Sequence, residues 1–352
     1  MRTRSAIPDR VLVTGAQGFL GRNLVARWLA SRPSVRILGV GRSERLDGTF
    51  TYDLRWGERR VRAPLSSEVR AAATDPRYGY EPVDLSDPEG VAGVLRSFRP
   101  DVVVHGASAL RDDPWPALFR SNVQSVITIA EAVRASSVPA PRLVLVSSGA
   151  VYGAKDPDRL PLDETDPCVP LDLYAASKAT AEDVARIVSL QHSVPLVRAR
   201  VFNLLGPGLQ DRHVAASLAG QIAAVRLGLS AGALQVGRLD TTRDFVDVRD
   251  ASEALLMIVE RAQPGAGSVF NVASGLETSI QTVLDHLLRL GDTPPDGVDR
   301  RREVAARPGE ILRSYADIRR VTGLGFAPAF DLEDSLADML RYYETSVSAA
   351  GD

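Results

Sequence analysis

The sequence predicts an α/β fold, a doubly wound parallel sheet with a smaller C-terminal domain. Three observations lead there. An apolar run at Val11 to Val13 ends at Thr14 and is followed by glycines at 15, 18 and 21. Short apolar runs then alternate with amphipathic segments through the first half of the chain, the pattern of parallel strands joined by helical crossovers. After Asn203 the pattern changes, at the break Gly206-Pro207-Gly208.

The first strand is expected at 11–14 and the first helix at 20–31, where Leu20, Leu24, Val25, Trp28 and Leu29 recur at helical spacing. Gly15 permits a tight turn between them, Gly18 lets a pyrophosphate approach the backbone, and Gly21 lets helix and strand pack closely. The free N–H groups at the helix start suit an anion. This is a Rossmann-type dinucleotide fingerprint, although a glycine triplet alone also fits an ordinary glycine-rich turn.

Further strands are expected at 35–40, 101–105, 142–147 and 195–201, with helices at 87–98, 117–136 and 174–192. Between them, residues 43–81 are rich in arginine (Arg45, Arg55, Arg59, Arg60, Arg62, Arg70, Arg77) and show only a short helical pattern at 65–73. A loop so long is either a solvated insertion or a clamp over bound nucleotide. Beyond Asn203 the pattern predicts helices at 212–228, 250–262, 278–290 and 331–343, with strands at 234–236 and 270–272. Residues 1–203, with 244–272 returning to them, therefore make the dinucleotide-type domain; 204–243 and 273–345 make the smaller cap, and 346–352 a frayed tail.

Apolar residues make up 45% and charged residues 24% of the 352, as in an ordinary globular protein. A net charge of -2 gives no electrostatic reason to expect nucleic acid or an anionic membrane. No apolar run approaches a membrane span, so cytoplasm is the expected compartment. The single cysteine, Cys168, excludes an intrachain disulfide, and the histidines at 105, 192, 213 and 286 lack metal-ligand spacing; no metal is expected.

Tyr174 and Lys178 stand four apart at a helix start and so share one face. A free tyrosine titrates at about 10, and a neighbouring ammonium would lower that and make it a usable acid or base. Ser148, at the end of the strand before, is placed to hydrogen-bond a reacting carbonyl or hydroxyl. Tyr-x-x-x-Lys alone is common, and a solvent-facing pair is its ordinary meaning.

With these residues assembled, the chain resembles the extended short-chain dehydrogenase/reductase superfamily, the branch of nucleotide-sugar epimerases, dehydratases and reductases, over 11–343. The marks are Thr14 to Gly21, Asp84-Leu85, His105-Gly-Ala107, Asn122, Ser148, Tyr174 with Lys178, Arg198 to Gly208, Arg243-Asp-Phe and Arg307-Pro-Gly-Glu. The resemblance implies that Ser148, Tyr174 and Lys178 are catalytic. It implies that the cofactor meets Gly15, Gln17, Gly18, Phe19, Leu20 and Gly21, then Arg42, Ser43, Asp84 (at adenine) and Leu85, and His105, Gly106 and Ala107. Asn122 would support Lys178 through water, and Lys178 would also hold the nicotinamide ribose. Asn203 would hold the sugar nucleotide, with Ser148 at the sugar, and Arg243 and Arg307 would clamp its diphosphate. A homodimer through the helices bearing Asn122 and Tyr174 is also implied.

The second strand ends Gly41-Arg42-Ser43, where NAD-preferring members carry a carboxylate for the ribose 2′-hydroxyl. NADP(H) is therefore favoured, with NAD(H) the alternative. Gly149-Ala150 stand where the dehydratases carry Asp-Glu, which disfavours that elimination. The stretch 236–250, with Arg249 in Asp-Val-Arg-Asp, and Gln221-Ile222 resemble GDP-4-keto-6-deoxymannose reductases; Arg238 departs from them, since asparagine is usual there. The expected reaction is reduction of the C4 ketone of a nucleoside-diphosphate 4-keto-6-deoxyhexose, the alternatives being a 4-epimerase with tightly held NAD and a non-catalytic dinucleotide-binding protein.

Overall fold

The computed structural model describes residues 8–56, 59–136, 140–230, 234–292 and 311–348. The chain begins β1 (Arg10–Thr14), α1 (Phe19–Ser31), β2 (Arg36–Gly41), β3 (Thr49–Trp56), β4 (Arg59–Pro64), α2 (Ser67–Ala73), β5 (Tyr78–Pro82), α3 (Pro88–Phe98) and β6 (Val102–His105). It continues α4 (Trp115–Leu118), a π-helical turn Phe119–Gln124, α5 (Ser125–Ala135), β7 (Arg142–Ser148), α6 (Leu173–His192), β8 (Leu196–Val201) and β9 (Asn203–Leu205). The remainder is α7 (Val214–Arg226), β10 (Thr242–Asp247), α8 (Val248–Arg261), β11 (Val269–Val272), β12 (Glu277–Ser279), α9 (Ile280–Leu290), β13 (Arg313–Ser314), α10 (Arg319–Thr322) and α11 (Leu332–Ser348).

Seven strands form one sheet in the order β11-β8-β7-β6-β1-β2-β5, every neighbouring pair parallel. Its central strands read as near-continuous apolar runs because both faces are covered. On one face Trp28 of α1 and Leu255 and Ile258 of α8 bury against Val11, Val104 and Val197; on the other, Val91, Ile129, Ala130 and Ala185 of α3, α5 and α6 bury against Leu12, Val103 and Leu143. The reversal of strand order between β1 and β6 opens a crevice at the strands' carboxyl ends, where α/β sheets bind ligands.

The stretch 43–81 departs from expectation. It is neither a loop nor a solvated insertion: β3 and β4 pair as an antiparallel hairpin, and β5 is the edge strand of the main sheet. Phe50, Tyr52 and Leu54 alternate with polar residues at period two, and Phe50 and Leu54 are fully buried. They join α7, α9 and α11 in a separate apolar core with Leu218, Ile222, Leu284, Leu287, Met339 and Tyr343. Tyr52 donates to the Gly208 carbonyl at 2.5 Å, and Tyr342 to that of Pro64 at 2.7 Å.

Two smaller corrections concern the second half. The strand expected at 234–236 is absent; Leu234 and Val236 are buried, but the backbone between them pairs with a side chain, Gln221, which accepts from the Gln235 N–H at 2.6 Å and donates to its carbonyl at 3.2 Å. The tail expected to fray from 346 is helical through Ser348, with Ser346 buried; 349–352 lie outside the described residues. β10 is instead the centre of a small sheet with β12, β13 and β9. Buried Asp244 ties that sheet together, its carboxylate accepting from Ser274 N–H (2.8 Å) and Oγ (2.7 Å), Gly275 N–H (3.0 Å) and Ala316 N–H (3.2 Å). No described helix is long and apolar enough to cross a membrane.

Candidate active site

The crevice is bounded first by the turn after β1. Gly15 has φ +68°, and a Cβ there would lie 2.8 Å from the Ala107 backbone; at Gly21 it would lie 2.3 Å from the Gly15 carbonyl oxygen. Both positions demand glycine for close packing. A Cβ on Gly18, the middle glycine, would meet only the Gly15 oxygen, at 3.2 Å, so it is less enclosed than the other two. Gly18 is also the N-cap of the 13-residue α1, which has neither a capping side chain nor an acid in its first turn. Free N–H groups, an uncompensated positive helix end and an open approach fit a pyrophosphate.

The turn's side chains are used elsewhere. Gln17 accepts from Arg22 Nη2 and the Leu46 N–H, both at 2.8 Å, and donates to the Glu44 carbonyl at 2.5 Å. Arg22, buried, also donates to the carbonyls of Leu46 and Thr49. Phe19 packs against Phe50 with ring centroids 6.2 Å apart, and Leu20 is partly buried against the main core. Gln17 and Phe19 thus hold the stretch leading into the hairpin, and only their backbones face the crevice side of the turn.

At the end of β2, Gly41 is followed by exposed Arg42 and Ser43. The Ser43 carbonyl accepts from Tyr80 Oη at 2.8 Å. Beside them, just after β5, Asp84 Oδ1 accepts from Ser86 N–H (2.9 Å) and Oγ (2.8 Å). These bonds hold the Asp84 carboxyl below its ordinary range, and the positive charges of Arg42 and Arg120 add to the effect. Arg120, in the π-helical turn, is not singled out by the sequence; its charge near Asp84, from another element, is what brings it to this end of the crevice. Leu85, next along, is buried in the core under α3.

His105 ends β6 and is fully enclosed. Its Nδ1 lies 2.8 Å from Thr14 Oγ1 and its Nε2 3.1 Å from Ser125 Oγ, and Thr14 Oγ1 also accepts from the Ala107 N–H at 3.1 Å. Burial, with the charge of Lys178 nearby, pushes the imidazole down to about 3, so it is neutral. It braces the Gly106-Ala107 backbone rather than titrating. Asn122 lies in the π-helical turn, a device frequent at functional sites. Its Oδ1 accepts from Ala109 N–H (2.8 Å) and Ser108 Oγ (3.0 Å), and its Nδ2 donates to Ser177 Oγ at 2.9 Å. Asn122 thus meets α6 at Ser177, the chain neighbour of Lys178.

Tyr174 sits in the first turn of α6, whose N-cap Asp172 accepts from the Ala175 N–H at 2.8 Å. The Tyr174 phenol lies near Ser148, at the end of β7, and Ser108, whose hydroxyls act to lower its pKa. Lys178, one turn on, is buried and donates to the Val146 carbonyl at 3.1 Å; burial lowers its ammonium to about 8. The expected lowering of the tyrosine is not what the balance gives. Burial raises Tyr174 above its ordinary value, and the hydroxyl of Ser148, then the charge of Arg111, then the hydroxyl of Ser108 act against it. Arg111 is thus another residue the sequence reading overlooked. Behind the site, Glu182 takes Arg200 at 2.8 Å and Arg198 at 3.3 Å, all three buried, fixing α6 to β8.

The expected sugar-nucleotide residues lie on the cap side. Asn203 opens β9, is exposed, and donates to the Asp244 carbonyl at 3.0 Å. Arg243, beside it on β10, donates to the Thr242 carbonyl at 2.7 Å. Arg307 lies outside the described residues. Arg249 is structural: it pairs with Asp247 and Asp338, each at 2.8 Å, and stacks 3.5 Å over the Phe330 ring.

Residues 11–273 match the family model described as NAD dependent epimerase/dehydratase family. The chain is similar to a GDP-6-deoxy-D-mannose reductase of Pseudomonas aeruginosa, 33% identical over 96% of this chain and 98% of that protein. It is also similar to a UDP-glucose 4-epimerase of Mycolicibacterium smegmatis, 30% identical over 95% of this chain and 98% of that one. Among solved structures, RMD from Pseudomonas aeruginosa complexed with NADPH superposes with a TM-score of 0.75 at 26% identity, covering 96% of this chain and 99% of that one.

Proposed function

This chain belongs to the NAD dependent epimerase/dehydratase family, and we propose that within it the protein reduces the C4 ketone of a nucleoside-diphosphate 4-keto-6-deoxyhexose, using NADPH. The observation that carries the reading is that Ser148 ends β7 beside the Tyr174 phenol and is followed by Gly149 and Ala150. Gly149 is packed so that a Cβ would lie 2.8 Å from the Phe202 ring, so no carboxyl group can occupy that position to serve elimination of water.

When bound, the dinucleotide supplies the hydride that reduces the ketone carbon. Ser148 donates a hydrogen bond to the ketone oxygen, and Tyr174 transfers its phenolic proton to that oxygen, which leaves as the alcohol. Lys178 holds the ribose and Asn122 fixes the helix turn that carries it. The turn at Gly15, Gly18 and Gly21 takes the pyrophosphate, Asp84 and Leu85 the adenine, and Gly106-Ala107 the inner wall. Arg42 and Ser43 receive a 2′-phosphate, for which the missing carboxylate removes repulsion. Asn203, Arg243 and Arg307 hold the nucleoside diphosphate. Ile187 and Leu190 of α6, with Trp115 and Phe119 before α5, are exposed apolar groups in keeping with a homodimer through those helices.

The similarity to a UDP-glucose 4-epimerase supports a second reading, since Ser148, Tyr174 and Lys178 would serve hydride removal and return equally well. The test mixes the protein with GDP-4-keto-6-deoxymannose and follows reduced-nicotinamide absorbance with NADPH and with NADH. Multiple-turnover oxidation, faster with NADPH, is the expected result. Absence of oxidation, with NAD released on denaturation, would move the assignment to the epimerase.

A further inference from the structure

The loop after β6 carries Arg111, whose guanidinium carbon lies 6.0 Å from the Tyr174 ring centroid. Its Nε takes Asp172 Oδ2 at 3.2 Å, while the other oxygen of that carboxylate caps α6 through the Ala175 N–H. One carboxylate therefore fixes both the helix that presents Tyr174 and the cation beside its ring. The pair is half-exposed, and such pairs add little to stability.

Two further cations of this region also have partners. Lys178, along the same helix, turns its ammonium to the Val146 carbonyl. Arg212, before α7, takes Asp113 at 3.1 Å and Asp112 at 3.7 Å. The remaining groups near the phenol are the hydroxyls of Ser148 and Ser108, from β7 and from the loop after β6, and the Asp172 carboxylate, whose charge acts to raise it. His213, the exposed N-cap of α7, lies near Arg111, Arg212 and Asp112.

We propose, resting on the reading of Tyr174 as proton donor, that Arg111 is a positioning residue of the proton transfer: held by Asp172, its guanidinium stabilises the phenolate left when Tyr174 gives up its proton. Donation converts a neutral phenol into an anion, which must then take a proton back from water, and a cation at the exposed side of the ring stabilises only the anionic stage.

The test is an ultraviolet titration of the tyrosine phenolate in the NADP-saturated protein, with the Tyr174→Phe titration subtracted to isolate the one group. Arg111→Met raises the Tyr174 midpoint by about half a unit to one unit, as expected for a single charge at this distance in a partly solvated site. Arg111→Lys restores part of the shift. The alkaline limb of kcat/KM with GDP-4-keto-6-deoxymannose follows in the same directions. A midpoint unmoved in the Arg111→Met variant overturns the inference. Undiminished turnover by Tyr174→Phe overturns the reading beneath it, which the titration distinguishes because it needs no substrate.

Discussion

Thr14 and His105 end adjacent parallel strands and meet side chain to side chain, Oγ1 to Nδ1, at 2.8 Å. The bond closes the floor of the crevice and fixes the imidazole as a neutral group. Because burial holds the folded-state pKa near 3 against an ordinary 6.5, the unfolded chain binds the extra proton first on acidification. Stability is fully present above about 6.5 and is lost as pH falls toward 3, at about 1.4 kcal/mol for each unit in that window. Thermal unfolding of the wild type and His105→Asn between pH 7 and 4.5 should show a shallower decline in the variant.

Tyr174→Phe should lower kcat by about 10²- to 10⁴-fold, the usual contribution of a positioned general acid, while leaving NADPH affinity nearly unchanged. The phenol donates the proton, but the Gly15 to Gly21 turn and the Arg42 side chain do not depend on it. Single-turnover kinetics and fluorescence titration with NADPH separate the two.

Arg42→Ala should raise KM for NADPH by about 10- to 100-fold and leave KM for NADH almost unmoved. A charge-assisted bond to phosphate is worth about 1.5–3 kcal/mol, and the second cofactor has no 2′-phosphate to lose it. Equal loss with both cofactors would place Arg42 on the adenine instead. Arg120→Ala should show the same asymmetry more weakly, because it faces the same end of the crevice.

Phe50→Ala should destabilise the protein by about 3–5 kcal/mol, the cost of emptying a fully buried aromatic site. Its ring spans from Phe19 at the dinucleotide turn to Gly208 and the cap core, so the loss should appear in one cooperative transition. Calorimetry resolving an unchanged transition for the cap would contradict this packing.

The parallel core was legible, and the candidate catalytic set stood out, because each rests on a local signal. The strands are unbroken apolar runs, the turn has three spaced glycines, and Ser148, Tyr174 and Lys178 carry chemistry at helical or strand-end spacing. The hairpin was obscured because arginines crowd it, although Phe50, Tyr52 and Leu54 do alternate; the alternation becomes decisive only with the partner strand and the cap helices in view. β5 was hidden for another reason: Tyr78-Gly-Tyr-Glu-Pro is a short edge strand with one fully buried side chain. Gln221 standing in for a strand against Gln235 has no periodicity at all. Arg111 and Arg120 were missed because their significance lies in what the fold sets opposite them, Tyr174 and Asp84.

The hairpin belongs to the first domain by chain order and to the second by packing. Cutting the gene after residue 203 would therefore not yield a self-sufficient nucleotide-binding module. Such a fragment would expose Phe50, Leu54, Ala63 and Leu65 to water with nothing to cover them, and should be recovered as insoluble material. The two lobes are not interchangeable cassettes, and a chimera that trades the cap of a relative for this one must carry residues 43–77 along with it.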